Sequence, residues 1–269
     1  MFDVNALDAP AIVSRDPVKT RQFKLLRFIN ENLDPALLGV EIGAFDRPIL
    51  TPPTYNIRYA DVHSTGTLRE LAAMNPRRSV DKVVAVEFVI GEQTLAQQID
   101  GRGVSYVFGS HVFEHIPNLL GFLRDMTRSL GPGGRLIGAF PDRRYTFDID
   151  RPRTTLGQLL DRDFRQLVRP DPATVFDHFH NFRRITAGRV WVSGGGHGVP
   201  RAYTISQSLA QMQKSKENYI DVHCNVFTDD EFVEMIGEIA LLGVGLTVIA
   251  VERTKRPGNE FLFCLEVNR

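Results

Sequence analysis

Short apolar runs alternate with helical segments along most of this chain, and this alternation limits the possible folds more than any other feature. Strands that alternate with helices pack as a parallel sheet with helices on both faces. The last two apolar runs flank the turn residues Pro257-Gly258-Asn259, which predicts an antiparallel hairpin. The predicted strands are residues 37–42, 56–60, 82–86, 104–109, 135–140, 246–251 and 261–267.

Capping residues mark the helix boundaries. Asp16-Pro17 predicts the start of a helix that runs toward Asn32, because an N-cap followed by proline favours helix initiation. Residues 119–130 place apolar side chains on one helical face. Thr228 and Glu231 form a capping-box pattern ahead of a third helix.

The length of 269 residues, of which 43% are hydrophobic, suits a single domain with one core and one elaboration. We expect one domain over residues 1–269, with the core formed by 16–142 and 228–269. Residues 143–227 would then be a long insertion after strand five. Insertions at the carboxyl end of a strand often build a substrate pocket, so we interpret this one as a substrate cap.

Composition argues against several classes of protein. The formal net charge of +0 lacks the basic excess typical of nucleic-acid binding, so no nucleic-acid partner is expected. No apolar run approaches the roughly 20 residues that span a bilayer, and the first ten residues do not resemble a signal peptide. Cys224 and Cys264 have neither metal-site nor convincing disulfide spacing. We expect a soluble, cytoplasmic protein; the sequence does not indicate its oligomeric state.

Residues just after the strands are the candidates for ligand binding, since α/β sheets bind ligands beyond the carboxyl ends of their strands. Gly43 follows strand one, Asp61 closes strand two and Glu87 is expected to close strand three. A dinucleotide-binding loop needs the pattern G-x-G-x-x-G, of which only Gly43 is present. A nicotinamide-dependent oxidoreductase is therefore disfavoured.

The segment from Tyr106 reads Tyr-Val-Phe-Gly-Ser-His-Val-Phe-Glu-His-Ile-Pro, and Leu-Gly-Pro-Gly-Gly-Arg-Leu-Ile follows the next helix. These motifs resemble class I S-adenosylmethionine-dependent methyltransferases, and the resemblance covers roughly residues 37–140 together with the terminal helix and hairpin. The resemblance implies a Rossmann-like, mostly parallel seven-stranded sheet with an antiparallel C-terminal hairpin, and S-adenosylmethionine as cofactor. By position in the family, the cofactor-binding residues would be Glu41, Gly43, Ala44, Phe45, Asp61, Val62, Glu87, Phe88, Ser110, His111 and His115.

The insertion resembles a narrower group, the methyltransferases found among bacterial polysaccharide and glycan biosynthesis proteins. The resemblance rests on the segments Pro-Asp-Arg-Arg-Tyr-Thr-Phe-Asp (141–148), Asp-His-Phe-His (177–180) and Asp-Val-His-Cys-Asn-Val-Phe-Thr (221–228). It implies O-methylation of a saccharide or a related small acceptor. Methylation of another small-molecule nitrogen or carboxylate is an alternative, as is a non-catalytic binding protein in a glycan-assembly complex.

A hydroxyl acceptor needs a group that removes its proton, and histidine suits this role near neutral pH. We favour His223 or His178 as the base, with Asp142 as the alternative; each could instead be structural. The insertion also holds His180 and His197, and Asp177 and Asp221 could orient a ring.

Two further features of the insertion stay open. On an extended segment, His178 and His180 would share one face and could bind a divalent cation together with Asp177 or His223, but the ligand set is incomplete and no metal is predicted. Local arginines could recognise a phosphate-bearing acceptor or pair with nearby aspartates. They are Arg143, Arg144, Arg151, Arg153, Arg162, Arg165, Arg169, Arg183, Arg184, Arg189 and Arg201.

Overall fold

The computed structural model describes residues 17–196 and 198–268, with only the backbone of residues 17–19. The strands in these ranges are β1 (Gly39–Ile42), β2 (Ile57–Asp61), β3 (Val86–Val89), β4 (Tyr106–Ser110), β5 (Arg135–Pro141), β6 (Leu246–Glu252) and β7 (Glu260–Val267). The helices are α1 (Pro17–Asn32), α2 (Thr65–Ala73), α3 (Leu95–Ile99), α4 (Leu119–Leu130), α5 (Leu156–Phe164), α6 (Pro172–Asn181), α7 (Ala187–Ser193), α8 (Ile205–Lys214) and α9 (Asp229–Leu241).

The strands form one seven-stranded sheet in the order β3-β2-β1-β4-β5-β7-β6. Strands β1 to β5 pair in parallel, and β7 runs antiparallel to both β5 and β6. The expected mostly parallel sheet with a C-terminal antiparallel hairpin is confirmed. The order of the first five strands is that of a doubly wound Rossmann-like sheet, in which the winding reverses between β1 and β4.

Both faces of the sheet are buried, which explains why the central strands are apolar at nearly every position. Phe140 and Phe263 pack on one face with residues of α4 and α9. Phe108 and Cys264 pack on the opposite face against Ile29 of α1. Helices therefore cover both faces, as the alternation of strands and helices predicts.

The predicted capping box of α9 is present. The hydroxyl of Thr228 accepts from the backbone N–H of Glu231 at 3.2 Å, and the Glu231 carboxylate accepts from the Thr228 N–H at 2.7 Å. The rings of Phe227 and Phe232, which flank the cap, lie 6.0 Å apart between centroids. The predicted N-cap of α1, Asp16, lies outside the described residues.

Strand three lies further along the chain than the predicted residues 82–86. Residues Val80–Lys82 form a single 3₁₀ turn, and β3 pairs with β2 through Tyr59 with Val86 and Asp61 with Val89. The segment from Val83 to Ile90 is apolar except at Glu87, so the sequence alone did not fix which of its residues pair with β2. The pairing with β2 decides which residues of that run end the strand.

The insertion folds as α5 to α8 and then returns to the sheet beside the carboxyl end of β5, where Asp142 and Phe227 form a β-bridge. The buried side chain of Asn225 donates to the carbonyls of Phe113 and Ile116 at 3.0 and 2.8 Å. These bonds tie the returning segment to the loop after β4. The insertion therefore adjoins the edge of the sheet where ligands bind.

No helix within the described residues is long and apolar enough to cross a membrane. Cys224 and Cys264 are both buried and free.

Candidate active site

A cleft of about 550 Å³ opens at the point where the sheet winding reverses. Gly43 and Ala44 line it from the end of β1, Ser110 lines it from the end of β4, and Arg21 lines it from α1. Adjacent parallel strands whose connections diverge leave such a crevice, which is the usual ligand site of doubly wound sheets. The structure therefore brings the predicted residues Gly43, Ala44 and Ser110 to one cleft.

The turn after β1 has positive φ angles at the places of the first two glycines of a glycine-rich loop, although only the first of them is glycine. Gly43 is exposed with φ +72°, and Phe45, at the place of the second glycine in G-x-G-x-x-G, also has a positive φ of 50°. Phe45 packs against the small apolar cluster of α2, and the guanidinium of Arg78 lies 4.4 Å from its ring centroid. Asp46 pairs with Arg78 at 2.6 Å. Packing thus holds a left-handed turn that glycine would adopt freely.

Glu41 secures the same loop. Its carboxylate is buried and accepts from the backbone N–H groups of Ile49 and Leu50 at 2.9 and 2.8 Å. Burial raises the pKa of Glu41 to about 7, although both N–H donors favour the ionised form. Its hydrogen bonds show a bracing role for Glu41 at the edge of the cleft.

We expect Glu41 to make the free energy of unfolding depend on pH. Its pKa rises from 4.5 to about 7 on folding, so the native state holds the proton more tightly. The resulting stability is complete below pH 4.5 and is lost as the pH rises through 7, by roughly 3 kcal/mol in total. Between pH 5 and pH 8, urea unfolding should show a loss of stability that is about 2–3 kcal/mol smaller in Glu41→Gln than in the wild type. Equal losses in the two proteins would contradict the assignment.

Asp61 is the last residue of β2, as predicted, and Val62 follows it. Asp61 is half-buried, and its Oδ1 accepts from the backbone N–H of His63 at 3.0 Å. Burial raises the pKa of Asp61 against the opposing effect of that N–H. The Val62 side chain is 63% exposed and so is available to an apolar ligand face.

Glu87 and Phe88 do not lie where the sequence predicted. Both lie inside β3, whose last residue is Val89. Glu87 is exposed and pairs with Arg58 and Arg102 at 3.1 and 3.4 Å, while the ring of Phe88 is buried in the core. The expectation that Glu87 closes strand three is therefore wrong, because the β2–β3 pairing carries the strand two residues past it.

Arg21 is a cleft residue that the sequence did not reveal. Its Nη2 donates to Ser110 Oγ at 2.9 Å, and its guanidinium forms a bidentate pair with Glu260 at 2.7 and 2.8 Å. Glu260 lies 239 positions away in the chain. An arginine in an ordinary amphipathic helix carries no signal of such a contact.

His111 bridges two carboxylates at the end of β4. Its Nε2 lies 2.7 Å from Glu260 Oε2, and its Nδ1 lies 3.3 Å from Glu114 Oε1. Burial disfavours the imidazolium, but the two carboxylates outweigh it and raise the pKa of His111 to about 9. The pKa of Glu260 falls to about 2, since His111 and Arg21 outweigh the effect of its burial. His111 is therefore charged at neutral pH and is not a proton acceptor there.

His115 and His223 form an edge-to-face pair with ring centroids 4.9 Å apart. His115 Nδ1 lies 2.8 Å from Asp221 Oδ1, and His223 Nδ1 lies 2.6 Å from Asp148 Oδ2. Each ring is thus oriented by a carboxylate at Nδ1, which leaves Nε2 available. Asp221 was expected to orient a ring, whereas Asp148 was identified only as part of a motif.

The other two candidate bases are less well placed. Asp142 is fully buried and bound by Arg144 at 2.5 Å, so its carboxylate already has a cationic partner. His178 is buried, and burial lowers its pKa to about 4, which makes it a weak base. Asp177, the second expected orienting residue, pairs instead with Arg151 at 2.8 Å.

The structure does not place His178 and His180 on one face, which was the condition for the metal pair left open from the sequence. Both residues lie in α6, so they do not share a face as they would on an extended segment. His180 stacks on Phe176, with ring centroids 5.1 Å apart. His197 lies outside the described residues.

Most arginines of the insertion pair with carboxylates. Arg143 forms a bidentate pair with Glu231 at 2.9 and 2.7 Å, and Arg144 binds Asp229 as well as Asp142. Within the described parts of the chain, four arginines of the group have no ion pair: Arg169, Arg184, Arg189 and Arg201. A phosphate-bearing acceptor would have to be recognised by these four, since charge on the others is already compensated.

Comparisons with known proteins extend the description of the fold. The chain is similar to a proposed Zn-dependent alcohol dehydrogenase from Rhodobacter sphaeroides (TM-score 0.51, 14% identity, covering 91% of this chain and 90% of that one). It is also similar to S-adenosylmethionine-dependent methyltransferases from Methanosarcina mazei (0.44, 13%, 90% and 97%) and Mesorhizobium loti (0.45, 13%, 89% and 96%). No protein-family profile and no curated protein sequence matches the chain. At these identities the similarities bear on the fold alone.

Proposed function

We propose that this protein is an S-adenosylmethionine-dependent methyltransferase that methylates a hydroxyl of a saccharide or a related small acceptor. The observation that carries the proposal is the cleft at the β1–β4 reversal, which is lined by four of the predicted cofactor residues, Glu41, Gly43, Ala44 and Ser110. Glycan biosynthesis and a cytoplasmic location remain expectations from the sequence.

The cleft has the features that this cofactor requires. Exposed Gly43 allows close approach of the backbone, and a side chain there would be strained by the positive φ and would press on Val112 at 3.3 Å. Asp61 at the end of β2 would accept hydrogen bonds from the ribose hydroxyls, and exposed Val62 would contact the adenine. The partly exposed guanidinium of Arg21 would pair with the methionine carboxylate.

When bound, the cofactor supplies an electrophilic methyl group, so the remaining requirement is an activated acceptor. His223 meets it best among the three residues favoured from the sequence. Asp148 holds its Nδ1 and leaves Nε2 free to accept a hydroxyl proton. His115 beside it would help to position the acceptor.

Loss of the Asp61 carboxylate tests the cofactor site. We expect Asp61→Ala to weaken S-adenosylmethionine binding about 10- to 100-fold, because hydrogen bonds to a charged group contribute about 1.5–3 kcal/mol. Isothermal titration calorimetry with S-adenosylmethionine and, separately, S-adenosylhomocysteine measures this. Glu87→Gln is the matched control, since it removes a carboxylate from an exposed position within β3.

No binding of either ligand by folded wild-type protein would overturn the proposal and favour a non-catalytic binding protein. If wild type and Asp61→Ala bind S-adenosylmethionine with equal affinity, the cofactor does not bind at Asp61. Product analysis after an acceptor screen then distinguishes a methylated hydroxyl from a methylated nitrogen or carboxylate.

A further inference from the structure

Three potential metal ligands converge between the loop after β4 and the segment that returns from the insertion. Glu114, His115 and His223 each offer one ligand atom, and these atoms all lie within 4.8 Å of one another. Glu114 and His115 lie in the 3₁₀ turn after β4, and His223 lies more than 100 positions later in the chain. The cluster differs from the pair His178 and His180 considered from the sequence.

Glu114 is the independent indication that a ligand belongs here. Its side chain is fully buried, and neither carboxylate oxygen has a hydrogen-bond partner among the described residues. His111 Nδ1 at 3.3 Å and His115 Nε2 at 3.8 Å approach as ion-pair contacts without hydrogen-bond geometry. A buried carboxylate is costly unless it is paired and hydrogen-bonded, or coordinates a metal.

The two histidines have the surroundings of metal ligands. A metal-binding histidine commonly donates its second ring N–H to a carboxylate, which fixes the tautomer and the ring orientation. His115 has Asp221 at Nδ1, and His223 has buried Asp148 at Nδ1. Both Nε2 atoms are left for a cation, and His115 Nε2 already approaches Glu114.

We propose that Glu114, His115 and His223 bind a divalent transition-metal ion of the zinc type, with open coordination positions. Two imidazoles and one carboxylate form a ligand set known from catalytic zinc sites. Metal–ligand bonds of about 2.1 Å place ligands about 3.5 Å apart, so the side chains close by about an ångström on binding.

The role of the ion rests on the proposed function. Within that function, the ion would activate the acceptor. An acceptor hydroxyl bound at an open position would become more acidic, because the ion stabilises the alkoxide; its proton would pass to bulk water, and the alkoxide oxygen would take the methyl group as S-adenosylhomocysteine leaves. In this arrangement His223 acts on the acceptor through the ion instead of by direct proton transfer. A sugar with two adjacent hydroxyls could fill two open positions, which would favour a vicinal diol as acceptor.

Zinc binding can be measured without an acceptor. Tag-free protein, stripped with EDTA and dialysed, is titrated with ZnCl₂ by calorimetry, followed by zinc analysis after gel filtration. We expect one zinc per chain and a higher melting temperature with zinc, as for any ligand of the native state. Glu114→Gln and His115→Ala should each weaken binding at least 10-fold, and His180→Asn should not; two ligand variants guard against one that fails to fold.

Absence of stoichiometric zinc, or equal binding by the ligand variants and wild type, overturns the proposed metal site. S-adenosylmethionine binding is measured on the same preparations. If the protein binds the cofactor but not zinc, only the metal site is contradicted, and His223 is left as a direct base. If the protein binds zinc but not the cofactor, the proposed methyltransferase function is contradicted.

Discussion

Replacing His223 by glutamine is expected to slow methyl transfer by about 100- to 10,000-fold, the usual contribution of a positioned proton acceptor. Affinity for S-adenosylmethionine should stay within about twofold, because His223 lies in the returning segment and not among the residues lining the cleft. The effect is expected whether His223 acts as a base or as a metal ligand. Transfer of a labelled methyl group to an acceptor found in the screen measures the rate, and calorimetry measures the affinity.

The substitution Asp148→Asn tests the role of His223 in a second way, by changing the carboxylate that orients its ring. Asparagine keeps the shape of Asp148 but loses the charge that holds His223 Nδ1 at 2.6 Å, so the rate should fall while cofactor affinity is kept. His180→Asn is the control for an insertion histidine outside this group. If His223→Gln keeps a third or more of the wild-type rate of methyl transfer, the proposed role of His223 in the reaction is contradicted.

Replacing Arg151 by methionine is expected to lower the free energy of unfolding by about 3–5 kcal/mol, as breaking a buried ion pair from one side does. Arg151 is 4% exposed, pairs with Asp148 and Asp177 at 2.8 Å each, and donates to the His223 carbonyl at 2.9 Å. Methionine would leave the buried Asp148 carboxylate with His223 as its remaining partner. The pKa of Asp148, held at about 2 by His223 and Arg151 against the effect of burial, should rise.

Urea unfolding checks this result, and the melting temperature should fall by roughly 10 °C. Arg165→Met is the matched control, because Arg165 pairs with Asp161 at an exposed helical position. Such pairs contribute about 0.3–0.5 kcal/mol. If both substitutions have the same small effect, Arg151 does not form the buried network that positions Asp148.

The class of fold could be predicted because it depends on short-range patterns. Each of these patterns spans only a few residues. They are the apolar runs of strand length, the helix caps such as Thr228 with Glu231, and the turn at Pro257-Gly258. The order of these elements then restricts the sheet to a mostly parallel one with a terminal hairpin. The same locality placed Gly43 and Asp61 at strand ends, where ligands bind.

Strand three shows the limit of such patterns. The segment from Val83 to Ile90 is apolar except at Glu87 and fits several registers, and hydrogen bonding to β2 selects the one that ends at Val89. Glu87 consequently belongs to the middle of a strand and not to a ligand-binding end.

The sequence by itself therefore determined the α/β architecture with its terminal hairpin, and the ends of strands one and two, where Gly43 and Asp61 lie. Only the tertiary structure decided which side chains meet: Arg21 with Glu260, Asp148 with His223, and Glu114 with His223. The physical reason is distance along the chain. Partners separated by 75 to 239 positions come together through sheet order and helix packing, and no local pattern of residues encodes that meeting.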